Sequence, residues 1–193
     1  MTLKNNGRGN VALALMAVVI FALACKSFGN ETAEANKLVD KANDEIKAAK
    51  TIQDKNEAKI SDYKEALNDS DFKKATSILD SVVKDIDEGV KHGDAAAESL
   101  EKAAKLKVDD KFKEYLEVRA QSVRKRIDSY KELKNMFSVT SEMLADPTAA
   151  SVQKAQPKIK DSQEKIAKLD KEADELEEKS EKVRKDNPDK FKG

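Results

Sequence analysis

Four long stretches of this chain repeat apolar residues at alternating intervals of three and four positions, and this spacing restricts the fold more than any other feature. An α-helix has about 3.6 residues per turn, so the spacing aligns the apolar side chains in one stripe along a helix. The stretches cover residues 30–67, 71–106, 109–145 and 147–186. Because they are nearly equal in length and joined by short turns, they predict an all-α, elongated up-down-up-down four-helix bundle.

Composition agrees with long helices, and a few breakers predict where the helices start or bend. The chain is 38% charged and contains six glycines, three prolines and no tryptophan, which is typical of long helices or coiled coil. Gly93 followed by Asp94 predicts a break in the second arm, with the glycine ending one piece and the aspartate capping the next. Asp146 and Pro147 predict the start of the last helix. Pro157 predicts a kink or a later start within it.

The C-terminal arm suggests a second architecture. Residues 171–185 are highly charged, and the apolar stripe there includes the small residues Ala173 and Ser180. The alternative is therefore a three-helix bundle with a protruding C-terminal coiled-coil arm, through which the chain would form a homodimer. The basic tail at 187–193, with Phe191 as its aromatic residue, is expected to fray.

The N-terminus carries an apolar stretch too short to span a membrane. Residues 11–24 are fourteen consecutive apolar residues, preceded by a polar leader with Lys4 and Arg8. A membrane-spanning helix needs roughly 20 such residues. A short basic leader, a short apolar stretch and small residues at its end are typical of a secretory signal peptide, predicted here at residues 1–24.

The end of this stretch is similar to a family of processing sites. Leu23, Ala24 and Cys25 resemble the end of a bacterial lipobox, with Ala22 where the usual box has leucine. In lipoprotein precursors of that kind the chain is cleaved before the cysteine, which receives fatty acyl groups such as palmitate on its sulfur and amine. The resemblance covers residues 1–25 alone. The alternative is ordinary secretion after Ala24, which leaves Cys25 as an unmodified thiol.

The resemblance implies where the protein resides and how the mature chain is divided. It implies a bacterial cell-envelope protein anchored in the membrane through Cys25. Lys26, rather than an aspartate, follows the cysteine, which favours the outer membrane, facing the periplasm or the surface. A secreted or soluble periplasmic protein is the alternative. The mature chain would consist of a tether at 25–30, the helical bundle at 31–186 and the C-terminal tail.

Several function classes are disfavoured by the sequence. Basic and acidic residues number 37 each, so the chain lacks the basic excess typical of nucleic-acid binding. A bundle metal site needs paired Glu-x-x-His motifs, whereas His92 is the only histidine. Cys25 belongs to the export signal, so no cysteine and histidine pair is available for nucleophilic catalysis. We therefore expect no enzyme activity, no cofactor and no metal.

Two sets of polar residues are candidate sites. Gln53 and Asn56 interrupt the apolar stripe of the first helix, which predicts a small polar site in the interior unless neighbouring Ile52 makes the contact instead. The second set is a basic cluster on the third helix, predicted to contact an anionic partner or lipid, or else to pair with acidic neighbours on a solvated face. Its members are Arg119, Arg124, Lys125 and Arg126.

These observations predict a membrane-anchored envelope lipoprotein whose helical bundle serves protein–protein interaction, as an adaptor or a spacer, with an unidentified envelope protein as partner. The alternative is a bundle that carries or senses a small apolar ligand between its helices. An internal cavity near Gln53 and Asn56 would favour that alternative, and a densely packed interior would count against it.

Overall fold

The computed structural model describes residues 30–191 and consists of four long α-helices followed by a short 3-10 turn. The helices are α1 (Asn30–Asn68), α2 (Phe72–Ala104), α3 (Asp110–Ala145) and α4 (Ala149–Asp186), and the turn is Pro188–Lys190. Each helix packs antiparallel on the next one in the chain. The predicted up-down-up-down four-helix bundle is confirmed, and no strand occurs in the described residues.

Side-chain caps fix the starts of the later helices. Asp109 caps α3 by accepting a hydrogen bond from the Lys111 N–H at 2.9 Å. The predicted start of α4 at Pro147 is wrong, because Thr148 is the cap. Its side chain accepts from the Ser151 N–H at 3.2 Å, and its own N–H donates to Ser151 Oγ at 3.1 Å. This reciprocal pair satisfies two backbone donors that a start at the proline would leave open.

The predicted break in α2 is also wrong, because the helix runs without interruption through Gly93. A Cβ atom at this position would lie 2.8 Å from Cγ1 of Ile127 on α3. The glycine therefore allows α2 and α3 to approach closely, and it does not end a helix. Asp94 does not cap a new helix, since its carboxylate accepts a hydrogen bond from Arg124 Nη1 at 2.6 Å. In α4 the helix likewise continues through Pro157.

The apolar core is formed mainly by α1, α2 and α3, and Phe191 of the C-terminal segment joins it. Its larger cluster lies in the half of the bundle that contains the start of α1 and the α2–α3 connection, and it includes Val39, Ile46, Leu100, Phe112 and Leu116. A smaller cluster lies towards the opposite end and consists of Ala66, Ala75, Leu79 and Leu144. The fully buried side chains of these clusters supply most of the favourable free energy of burial.

The fourth helix is attached differently from the other three. It lies along α3, so the predicted protruding arm is not observed. Its buried residues are all small, namely Ala155, Ser162, Ala173 and Ser180. Within residues 30–191, the backbones of α1 and α4 approach each other less closely than those of consecutive helices, although Ile46 and Ser180 line the same small cavity beside α3.

Residues 187–191 fold back onto the bundle instead of fraying. Phe191 is only 5% exposed, and its ring meets those of Phe112 and Tyr115 edge-on, with centroid distances of 5.7 and 5.2 Å. Lys190 Nζ lies 2.9 Å from the Asp109 carboxylate at the start of α3. The described start and end of the chain are therefore at the same end of the bundle, because Phe191 belongs to the core cluster that contains Ala35.

Candidate functional site

The basic cluster predicted on α3 is divided between two sides of that helix. Arg124 points towards α2, where its Nε and Nη1 atoms donate to Glu101 at 2.9 Å and to Asp94 at 2.6 Å. Lys125 points towards α4 and lies 2.6 Å from Glu172. These contacts agree with the alternative interpretation of the cluster as basic residues paired with acidic neighbours, and they join three helices.

Arg126 is the most buried ionic group among the helix-to-helix pairs. Its side chain is 7% exposed, Nη1 donates to Asp170 at 3.3 Å, and Nη2 pairs with Asp174. Glu177 lies 4.0 Å from Nη2, and the buried Nε atom has no hydrogen-bond partner among the described residues. The cost of desolvating the buried guanidinium offsets its attraction to these carboxylates. The ion pairs therefore specify the position of α4 on α3 more than they stabilise the contact.

Arg119, also on α3, lies over the ring of Tyr115, and its Cζ atom is 5.9 Å from the ring centroid. Arg119 and Arg126 line a small cavity of about 30 Å³ together with Ile46 and Ser180. A space of this size holds only one or two water molecules. The predicted four-residue anion site is therefore not assembled, since these two arginines face this cavity while Arg124 and Lys125 face elsewhere.

Gln53 lies in the interior, which was one of the two interpretations left open by the sequence, and the structure identifies its partner. The Tyr130 hydroxyl of α3 donates to Gln53 Oε1 at 2.8 Å, and Gln53 is buried. Burial raises the pKa of Tyr130 to about 12, so the hydroxyl remains protonated and able to donate. Asn56 is partly buried, and its Oδ1 atom has no partner among the described residues.

The space beside this polar pair is too small for a ligand. A cavity of about 10 Å³ lies between α1, α2 and α3, and its walls include Ala49, Gly89 and Tyr130. Small-molecule sites in proteins usually occupy several hundred Å³. This cavity is therefore too small for a ligand, and the contact between Tyr130 and Gln53 is a hydrogen bond within the folded interior.

A wider groove lies on the other face of α3, between α2 and α4, and we call it the lysine groove. Its volume is about 640 Å³. It is lined by Glu101, Ala104, Lys105, Lys113, Glu117, Ala120, Gln121, Arg124, Lys125 and Leu176. Ala104 and Ala120 are buried at its floor, and the charged side chains surround them. No pattern in the sequence indicates this groove, because its residues come from three separate helices.

Ion pairs hold part of the groove rim in place. The hydrogen bond from Arg124 lowers the pKa of Glu101, and the hydrogen bond from Lys125 lowers the pKa of Glu172. The charge of Lys105 also contributes to the lowered pKa of Glu101, whereas Lys113 lies at ion-pair distance from no carboxylate of the described chain. The groove therefore has buried alanines at its floor and side chains of both charges around them, because Glu101 and Glu117 line it together with the four cationic residues.

The described residues contain no group of histidine, cysteine and carboxylate side chains arranged to hold a metal ion. The predicted break would have placed His92 at the end of a helix, but His92 lies within α2. Its Nδ1 atom lies 2.7 Å from Glu45 Oε2, so it joins the middle of α2 to α1. No helix within residues 30–191 combines the length and the apolar composition that a membrane span requires.

The predicted signal peptide, with Ala22, Ala24 and Cys25, lies outside the described residues. Comparison of the chain with protein-family models, with curated proteins and with solved structures finds no match.

Proposed function

We propose that this chain is a lipid-anchored protein of a bacterial cell envelope whose helical bundle serves protein–protein interaction, as an adaptor or a spacer. The proposed anchor is Cys25, with the preceding residues 1–24 as the signal peptide. The same processing pattern favours the outer membrane, since Lys26 and not aspartate follows the cysteine. The bundle would act through its surface, without a catalytic residue.

One observation carries this proposal beyond the signal sequence: both described ends of the chain lie at one end of a long bundle. The longest helix has 39 residues, or about 58 Å at ~1.5 Å per residue. Five extended residues from Cys25 to Asn30 reach at most ~18 Å. An acylated Cys25 would therefore hold the base of the bundle close to the bilayer and present the sides of the helices to other envelope proteins.

The anchoring is tested by mass spectrometry of the mature N-terminus in a bacterial host that processes lipoproteins. We expect the chain to begin at Cys25 and to carry added fatty acyl mass, and to fractionate with membranes. Cys25→Ser should abolish both, whereas Ala22→Leu, which restores the usual lipobox residue, should leave the product unchanged or increase its amount. An unmodified Cys25, or a mature chain that begins elsewhere, would refute the anchor.

A further inference from the structure

We propose that the cavity between α1, α3 and α4 binds an ordered water molecule, which accepts a hydrogen bond from Arg126 Nε and joins α3 to α4. This inference goes beyond the proposed function and is independent of the anchor at Cys25, because it concerns only residues inside the bundle. Three observations carry it, namely a buried donor without a partner, the size of the cavity and the hydrogen-bonding groups that line it.

The buried donor is the Nε atom of Arg126. The other two nitrogen atoms of this guanidinium contact Asp170 and Asp174 on α4. The side chain is 7% exposed, and Nε is buried without a hydrogen-bond partner among the described residues. A buried donor that lacks an acceptor loses its hydration without compensation, so nearly all such groups in native proteins bond to protein or to ordered water. An acceptor is therefore expected beside Nε.

Arg126 lines two small cavities that differ in size and polarity. The cavity of about 10 Å³ has mainly apolar walls, which include Gly93 and Ile127. The cavity of about 30 Å³ is lined by Ile46, Arg119, Ser122, Val123, Arg126, Glu177 and Ser180. A cavity needs about 10–15 Å³ and two to four polar partners to hold a water molecule. The larger cavity meets both conditions, so the acceptor for Nε belongs there.

The two serines that line the larger cavity offer it lone pairs and no protons. Ser122 Oγ donates to the Ala173 carbonyl at 2.9 Å, and Ser180 Oγ donates to the Glu177 carbonyl at 2.8 Å. A hydroxyl group has one proton, so both oxygens can only accept from a molecule in the cavity, as can the Glu177 carboxylate. Because Nε donates and these oxygens accept, the bound molecule must both accept and donate hydrogen bonds.

Water meets this requirement, whereas a small ion does not. A halide ion would accept from Nε but would lie against the lone pairs of the serines. The charge at the cavity gives an anion no advantage either, because the cations Arg119 and Arg126 are accompanied by three carboxylates of α4, those of Asp170, Asp174 and Glu177. A cation would lie against the guanidinium donors. A bridging water molecule replaces a direct hydrogen bond between the two helices with little loss of enthalpy.

The first test is a high-resolution crystal structure of the purified protein, with a second crystal soaked in bromide. We expect an electron-density peak about 2.7–3.2 Å from Arg126 Nε that gives no anomalous signal from bromide. In solution, nuclear magnetic resonance should show a nuclear Overhauser contact between the Nε proton of Arg126 and a long-lived water molecule. Arg124 is the matched control, because its Nε atom donates directly to Glu101 at 2.9 Å and should show no such contact.

Two substitutions at Ser180, which is 0% exposed, make the test specific to the cavity. Ser180→Val fills the cavity, so the contact between water and Arg126 Nε should disappear. The melting temperature should fall by several degrees, because the buried donor is then unsatisfied. Ser180→Ala leaves room for the water molecule and should retain the contact. Circular dichroism should show the same helix content for both variants, which distinguishes displacement of the water from a loss of folding.

Several outcomes would overturn the inference. In the crystal structure they are a direct hydrogen bond from Arg126 Nε to a protein oxygen, a cavity without a density peak, or a bromide ion at the proposed position. In solution they are the absence of the water contact in the parent chain, or its persistence in the valine variant. If that variant does not fold, the parent chain and the alanine variant decide the question by the same measurements.

Discussion

The contacts among α1, α2 and α3 and the contact between α3 and α4 are built from different side chains. Among the first three helices, fully buried Leu79, Leu100 and Leu116 meet in apolar clusters. Against α4, α3 presents Ser122 and Arg126, and Ser122 Oγ donates to the Ala173 carbonyl at 2.9 Å. No fully buried residue of α4 belongs to the core clusters of the described chain, and its contribution to them is the partly buried Val183.

The two kinds of contact have different effects, one on the stability of the bundle and the other on the orientation of α4. Burial stabilises by about 25 cal/mol per Å² of apolar surface, so the large side chains of the first three helices contribute more than alanine and serine do. Ion pairs with exposed partners contribute little net free energy, but they are directional. We infer that α1–α3 hold the bundle together, and that the polar contacts determine where α4 lies along α3.

The largest expected effect is a core truncation. Leu100→Ala removes a side chain that is 0% exposed and should lower the free energy of unfolding by about 2–5 kcal/mol. The matched change on α4 is Leu176→Ala, at a half-buried position, and it should cost about 1 kcal/mol or less. Urea unfolding of both variants measures the two values. Equal losses of unfolding free energy in the two variants would contradict the difference between the helices, because α4 would then contribute as much apolar burial as α2.

The second prediction concerns the C-terminal residue that joins the core. Phe191→Ala should cost up to about 3 kcal/mol, because its ring packs on Phe112 and Tyr115. Phe72→Ala, which removes the same side chain at a position 39% exposed, should change the stability by less than about 0.5 kcal/mol. Thermal unfolding of the two variants measures both changes in stability. A negligible effect at position 191 would mean that the C-terminal segment does not contribute to the core.

The third prediction separates a buried ion pair from an unpaired buried charge. Asp170→Asn with Asp174→Asn leaves the Arg126 guanidinium buried without these carboxylates and should cost about 2–4 kcal/mol. Arg126→Leu removes the cation itself and should cost about 1 kcal/mol or less, because the freed carboxylates can be hydrated. Chemical unfolding measures both. A larger loss for the leucine variant would show that the ion pair stabilises α4 in its own right.

The smallest effect is a pH dependence at the C-terminal segment. The hydrogen bond from Lys190 lowers the pKa of Asp109 in the folded state. Its contribution to stability is therefore present above the ordinary carboxyl pKa and is lost as the pH falls through the lowered folded value. Asp109→Asn keeps a side-chain cap for α3 but removes the charge. It should be less stable than the parent chain at neutral pH and indistinguishable in strong acid. A difference independent of pH would contradict this explanation.

The sequence was informative where the physical cause is local. The spacing of apolar residues predicted the helices and their antiparallel order, because a stripe on each of four similar helices is buried only by side-by-side packing. It failed at Gly93 and Pro147, where two interpretations compete. A glycine marks either a helix end or a close approach of helices, and only the position of Ile127 decides between them.

The candidate sites were predicted less well for the same reason. The apolar stripe left open whether Gln53 or Ile52 faces the interior, because the partner of Gln53, Tyr130, is far away in the chain. The basic residues of α3 were recognised as a cluster in sequence, yet adjacent positions on a helix point about 100° apart. Arg124, Lys125 and Arg126 therefore reach different neighbours. Lys105 and Lys113 carried no local signal, since exposed lysines are common on protein surfaces.

The sequence by itself determined the fold class, the helix order and the predicted export signal, because helical periodicity and the length of an apolar stretch act over neighbouring residues. Only the tertiary structure decided which sides of α3 are covered, that Phe191 joins the core and that the lysine groove exists. Those features depend on the rotation of each helix about its axis and on contacts between distant residues. Small residues at the α3–α4 contact leave that rotation unspecified by apolar patterning, so polar and ionic contacts such as those of Ser122 and Arg126 determine it.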